Sequence, residues 1–219
     1  MGILSSIFGG GKKSPENQYD ILCDDGVRAM QMGEFKYAEK CLTAALELKH
    51  ELRTVGFLAE VYLHTENYEK ALPLLREMVQ HAEGDNLEIS LLLAQTLGKT
   101  QAYADERTTC QDILQKHEGE PRALYLLAEA EHGLHEDLMA IAHLTQCLAQ
   151  EPQYQHALLL RAEVLKQMGQ WTEVLADAEA LVAIDAENEN YHLLRAEAYA
   201  ALGKTDEAVA DLKAVQALN

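Results

Sequence analysis

The sequence predicts an all-α fold, an array of about six helix pairs, and three observations carry that expectation. First, Leu160-Arg161-Ala162-Glu163 moved forward by 34 residues falls on Leu194-Arg195-Ala196-Glu197, and the same shift carries Gly169 onto Gly203, Glu173 onto Glu207 and Ala176-Asp177 onto Ala210-Asp211. A fixed period of this length marks a helical repeat array. Second, hydrophobic residues make up 48% of the chain and aromatic ones only 6%, so burial falls to Ala and Leu, which suit close-packed helices better than sheets. Third, Leu158, Ala162 and Leu165 form one stripe and Val174, Ala178 and Leu181 another, each at the spacing of one helix face, with Gly169-Gln170 as the break between them.

Taken in order, residues 1–18 stand outside the period and are expected to be a flexible leader. Ile3 pairs with Ile7 and Leu4 with Phe8 at i, i+4 spacing, then come Gly9-Gly10-Gly11, Lys12-Lys13 and Ser14-Pro15. Such a piece could form a short amphipathic turn on anionic lipid, so residues 1–13 offer a membrane contact as an alternative to an untied terminus. Met1-Gly2 with Ser6 also matches the N-myristoylation pattern, which needs a eukaryotic host. From Tyr19 the period takes over, with repeats near 19–51, 52–86, 87–120, 121–154, 155–188 and 189–219. Gly33-Glu34 and Gly203-Lys204 break their units as Gly169-Gln170 does.

In this register the eighth position of every unit is small: Gly26, Ala59, Ala94, Ala128, Ala162 and Ala196. Two helices that cross closely leave no room there for a large side chain. The twentieth position is Ala38, Ala71, Ala140 and Ala208, with Val174 tolerable. On these residues, positions 19–219 resemble the tetratricopeptide repeat family, and the resemblance implies a right-handed superhelical solenoid of about six helix-turn-helix units. Departures are Pro near the unit's end only at Pro152, and larger residues (Met78, Ile113, Cys147, Leu181, Val215) where the family has Ala. The third unit fits worst, with Glu106 at the twentieth position, and a bend or irregular turn is expected near residues 98–106. At position 28, Leu46, Val79, Leu114, Leu148 and Val182 give way to Gln216, so the array is expected to end there, while Leu212, Val215 and Leu218 leave apolar surface for a weak homodimer instead of a monomer.

Charge and motifs narrow the function. Lys and Arg total 18 against 36 Asp and Glu, for a net charge of −18, which repels a phosphate backbone and argues against nucleic acid. Cys23, Cys41, Cys110 and Cys147 show no CxxC pair and read as small buried hydrophobes of a reducing compartment. With no signal sequence and no apolar run of about 20 residues, a cytoplasmic location is expected, peripheral to a membrane if the leader binds one. Gly98-Lys99-Thr100 and Gly203-Lys204-Thr205 lack the earlier glycine of a phosphate loop, Leu93 and Ala198 standing in its place, and read as turns. His132, His135 and His143 beside Glu131, Glu136 and Asp137 straddle a turn without metal-ligand spacing. No catalytic residue, metal or cofactor is expected.

The resemblance implies that positions 2, 5, 9, 12 and 13 of each first helix face a concave groove. Position 9 reads Val27, Glu60, Gln95, Glu129, Glu163 and Glu197, and position 5 reads Cys23, Gly56, Leu91, Tyr125, Leu159 and Leu193. One helical step apart, they would lay an apolar strip beside a ladder of carboxylates. The face suits a peptide or partner domain with apolar and basic residues. The plainer account is solvated Glu on good helices, with Arg161 and Arg195 neutralising part of the ladder. Family members that grip a carboxylate use Lys and Asn where Cys23 and Val27 stand, so no carboxylate clamp is expected. The expected function is a non-enzymatic protein-interaction scaffold or adaptor, and the alternative a membrane-associated assembly factor or co-chaperone.

Overall fold

In the computed structural model, residues 15–81, 84 and 86–218 are described, and they form twelve helices and no strand. The expectations placed on residues 1–13 therefore lie outside the described residues. The helices are α1 (Pro15–Gln31), α2 (Phe35–Leu48), α3 (Leu52–His64), α4 (Tyr68–His81), α5 (Leu87–Lys99), α6 (Tyr103–Lys116), α7 (Pro121–Gly133), α8 (Asp137–Gln150), α9 (Gln155–Gln167), α10 (Trp171–Ile184), α11 (Glu189–Ala201) and α12 (Thr205–Leu218). The chain divides within α5 into two compact units, Met1–Thr96 and Leu97–Asn219. No helix among the described residues is long and apolar enough to cross a membrane.

In the first unit α1 packs on α2, α2 on α3 and α3 on α4. The small residues sit where helices cross: Ala59, Ala38 and Ala71 are buried, and a Cβ on Gly26 would lie 2.7 Å from Leu42 Cγ. Tyr19 ties α1 to the start of α3, its hydroxyl donating to Glu51 at 2.8 Å and lying 2.6 Å from the Thr54 hydroxyl. Cys41 is buried and Cys23 half-buried, both as free thiols.

The second unit continues the same scheme through α6 to α12, each helix packing on the next. Ala128, Ala162 and Ala196 on the first helices and Ala140, Val174 and Ala208 on the second are buried. One cluster joins Leu124, Leu144, Cys147, Leu158 and Leu181; another joins Ala162, Leu165, Val174 and Ala198. Burying Leu-sized side chains contributes about 1.5–3 kcal/mol each. Since each helix is apolar on one stripe only, packing of neighbours holds the unit together.

The turn at residues 100–102 is regular, against the expected bend. Ala102 N–H donates to Leu97 O at 2.9 Å and Gln101 N–H to Gly98 O at 2.9 Å. Gln170 N–H to Leu165 O at 2.9 Å and Gly169 N–H to Lys166 O at 3.0 Å repeat the pattern. Both close a helix through a left-handed residue, Gln101 at φ 58° and Gly169 at φ 73°. Glu106 is instead accommodated by side-chain space: Gly98 has no Cβ, and one built there would lie 2.7 Å from Glu106 Oε1. The misfit is absorbed in packing, and the backbone turn, fixed by its own hydrogen bonds, does not register it.

Candidate functional site

In the first unit, Glu60 is exposed, 3.9 Å from His64 Nε2. With Arg53, Gly56, Leu63, Met78 and Leu92 it lines a largely apolar groove of about 390 Å³. Gln95 is exposed. Leu91 is only 5% exposed and offers no surface to a partner. Position alone does not set exposure, because neighbours differ between units.

The second unit holds the other six residues. Leu159 and Leu193 are 37% and 42% exposed, each one helical step before an exposed glutamate, Glu163 on α9 and Glu197 on α11. Glu197 is already engaged, because Lys166 Nζ donates to its Oε2 at 2.6 Å. On α7, Tyr125 and Glu129 are half-buried. Burial first, then Glu129, raises the Tyr125 phenol. Its ring meets Tyr154 edge-on at 5.5 Å and lies 6.1 Å from His156.

Arg161 and Arg195 do not neutralise the glutamate ladder, which corrects the expectation. Each turns back to the second helix of its own pair. Arg161 Nε donates to Asp177 Oδ2 at 3.0 Å and Nη2 to Oδ1 at 2.5 Å. Arg195 makes the same fork to Asp211, at 2.8 and 2.6 Å. Both aspartates are buried, and two parallel N–H···O bonds suit a desolvated carboxylate. The repeated Arg and the repeated Asp are thus partners, a relation hinted at by their shared period.

His192 joins this arrangement in the last pair alone. Its Nδ1 lies 2.9 Å from Asp211 Oδ1 and its Nε2 2.9 Å from the Ala186 carbonyl. Both acceptors are satisfied together only by the imidazolium, which has two N–H donors. The Asp211 hydrogen bond, then the Ala186 carbonyl, raises the His192 pKa. Burial pushes Asp211 up, yet Arg195 and His192 outweigh it and hold the carboxyl below its ordinary range.

Glu106 on α6 is the group whose fate the sequence least foretold. It is 0% exposed, and neither carboxylate oxygen has a hydrogen-bond partner. Burial, then Glu129, raises its pKa to about 8, with Lys99 pulling the other way. A signal was present: Gly98 occupies the twelfth position, where other units carry Met30, Leu63, His132, Lys166 and Ala200. Among the candidate ligands, His132 Nδ1 lies 2.7 Å from Asp137 Oδ1 and His143 Nδ1 2.7 Å from Glu131 Oε2. Among the described residues no three His, Cys, Asp or Glu side chains are grouped to hold a metal.

No family model matches the chain, and no curated protein matches it in sequence. Solved structures do resemble it. A tetratricopeptide repeat protein from Parabacteroides merdae is 18% identical, with 92% of this chain and 80% of that one covered and a TM-score of 0.73. PilW, a widely conserved type IV pilus biogenesis factor, is 19% identical over 91% of this chain and 92% of its own, with a TM-score of 0.70. MamA is 20% identical over 74% and 94%, with a TM-score of 0.66. At such identities the likeness is one of fold.

Proposed function

Because the chain has the tetratricopeptide-repeat fold, we propose that it is a non-enzymatic scaffold that holds a partner protein against the first helices of its repeats. The observation that supports this reading is the pair of exposed leucines, Leu159 and Leu193, each with a glutamate one turn on. A partner segment carrying apolar and basic residues complements both features. Glu163 supplies the open carboxylate there, with Tyr125 and Glu129 at the neighbouring rung; Glu197 is the weaker contributor, being held by Lys166. In the first unit the groove beside Glu60 would take an apolar side chain of the same partner class.

The test is the double variant Leu159→Lys, Leu193→Lys. With Leu159 37% and Leu193 42% exposed, covering what remains of each contributes about 0.6–1.2 kcal/mol, so the partner captured from the native cell should bind at least about tenfold more weakly. Stability should move by no more than about 1 kcal/mol for the two changes together, because both side chains are at the surface. Unchanged capture by a folded variant would remove this face from the binding site.

A second reading, a membrane-associated assembly factor, is favoured by the i, i+4 pairs of Ile3 with Ile7 and Leu4 with Phe8 followed by Lys12-Lys13. It expects the full chain, and not one starting at Asn17, to sediment with anionic vesicles. Equal sedimentation of the two would end it.

A further inference from the structure

Where the first helices of other pairs carry Cys23, Leu91, Tyr125, Leu159 or Leu193, α3 carries Gly56. The missing side chain leaves open the apolar groove of about 390 Å³ in the first unit. Its floor is close, since a Cβ on Gly56 would lie 3.2 Å from Met78 Cε. Leu52, Phe57, Leu63, Met78 and Leu92 line the groove and are only partly buried. Open apolar surface of this kind marks a binding site. Beside it, and sharing Arg53, a more polar hollow of about 320 Å³ is edged by Asp20 and Asp24 of α1 and by Glu51. The Arg53 guanidinium lies over the Phe57 ring, 5.3 Å from its centroid, at the border between the acidic hollow and the apolar one. Asp20 and Asp24 are one helical turn apart and both exposed.

The first residues of this chain carry the complement to both surfaces. Residues 1–14 hold Ile3, Leu4, Ile7 and Phe8, then Gly9-Gly10-Gly11, then Lys12-Lys13, and no acidic side chain, so all of the −18 net charge lies after them. Apolar residues joined to cations suit an apolar surface edged by carboxylates. Their point of attachment is the mouth of the groove: α1 begins at Pro15, and one turn on Tyr19 donates to Glu51 and lies against the Thr54 hydroxyl at the start of α3. Fully extended, residues 1–14 reach about 46–50 Å, whereas Leu52 to Leu63 measures about 17 Å along α3. The order agrees as well. The lysines, nearest α1, come first to the acidic hollow, the glycines cross to the groove, and Phe8 and Ile7 follow.

We propose that residues 3–13 dock in cis on the first unit, Phe8 and its apolar neighbours in the α3 groove and Lys12-Lys13 against Asp20 and Asp24. The leader then competes for that groove with the apolar residue of a partner. The contact stands on the first unit alone and does not rest on the face proposed for the second. A short tether holds its end at an effective concentration of about 1 mM, so an intrinsic affinity of about 1 mM fills the groove in about half of the molecules.

The experiment uses the full chain carrying Phe8→p-benzoylphenylalanine, whose excited ketone inserts into the C–H bonds it touches. The protein is irradiated dilute, and the cross-linked peptides are mapped by mass spectrometry. Most product should be a monomer joined from residue 8 to the groove, with Met78 foremost. Lys12→Glu with Lys13→Glu leaves every residue of the array untouched and should lower that yield about twofold. Gly56→Leu, with circular dichroism confirming its fold, fills the groove and should lower it about fivefold. Links spread over the array, links mainly between two copies, or a yield unchanged in either variant would overturn the docking. None of these outcomes bears on Leu159 and Leu193, so the leader contact and the partner face fail separately.

Discussion

Replacing Glu106 by Gln will flatten the pH dependence of stability between about pH 4.5 and 8 and make the second unit more stable at the upper end. Glu106 is fully buried and its pKa rises from 4.5 to about 8 on folding. Over that window the unfolded chain has lost the proton and the folded chain keeps it, so stability falls as pH rises and levels off above pH 8. The whole effect is roughly 4–5 kcal/mol, set mainly by burial and less by Glu129. Gln removes the titration but leaves an unpaired amide, worth about 1–3 kcal/mol, so the net gain at pH 8 should be about 1–4 kcal/mol. Urea unfolding at about pH 5 and 8 checks it: equal slopes in the two proteins would mean that Glu106 is ionised in the fold.

What could be read from the sequence followed from periodicity. Ala128, Ala162 and Ala140 announce close helix crossings because size at a crossing is a local constraint that recurs with every unit. Gly169 announces a left-handed turn for the same reason. Relations between residues were harder to see. Arg161 and Asp177 each recur 34 residues on, and periodicity says that both return, not that they touch. The salt bridge from Lys166 to Glu197 spans 31 residues between successive pairs, outside any one unit's pattern. Leu91 and Leu159 share a position yet differ in burial, because exposure depends on the neighbouring helix. Glu106 is visible as a misfit at its position, but its period points to strain at the turn, whereas the missing Cβ of Gly98 makes room for it.

Arg161→Ala will destabilise the second unit by about 3–5 kcal/mol, and Arg195→Ala, its counterpart one repeat later, by distinctly less. Arg161 makes the two-bond fork to buried Asp177, so truncation leaves a desolvated carboxylate without its counter-charge. Asp177→Ala should cost less than Arg161→Ala, because Arg161 is partly exposed and also donates to Thr145 Oγ1 at 3.2 Å. Asp211 differs in one respect: His192 remains beside it at 2.9 Å when Arg195 is gone. The penalty for Arg195→Ala should therefore be about 1–2 kcal/mol at mildly acid pH. The raised His192 pKa fixes the direction of its pH dependence. Stabilisation by the imidazolium is complete below the ordinary histidine value and is lost as pH rises through the raised one. Asp211, with its pKa lowered, keeps its own contribution at any pH above the ordinary aspartate value and loses it only as pH falls through the depressed one. In Arg195→Ala a rising pH thus removes the last cation facing Asp211, and the variant should lose further stability through that range while Arg161→Ala, with no histidine at the matching Leu158, shows no such additional loss. Denaturant unfolding of both variants across about pH 5.5 to 8.5 decides the point: parallel curves would mean that His192 does not hold Asp211, and that the resemblance between the two forks extends to their energetics.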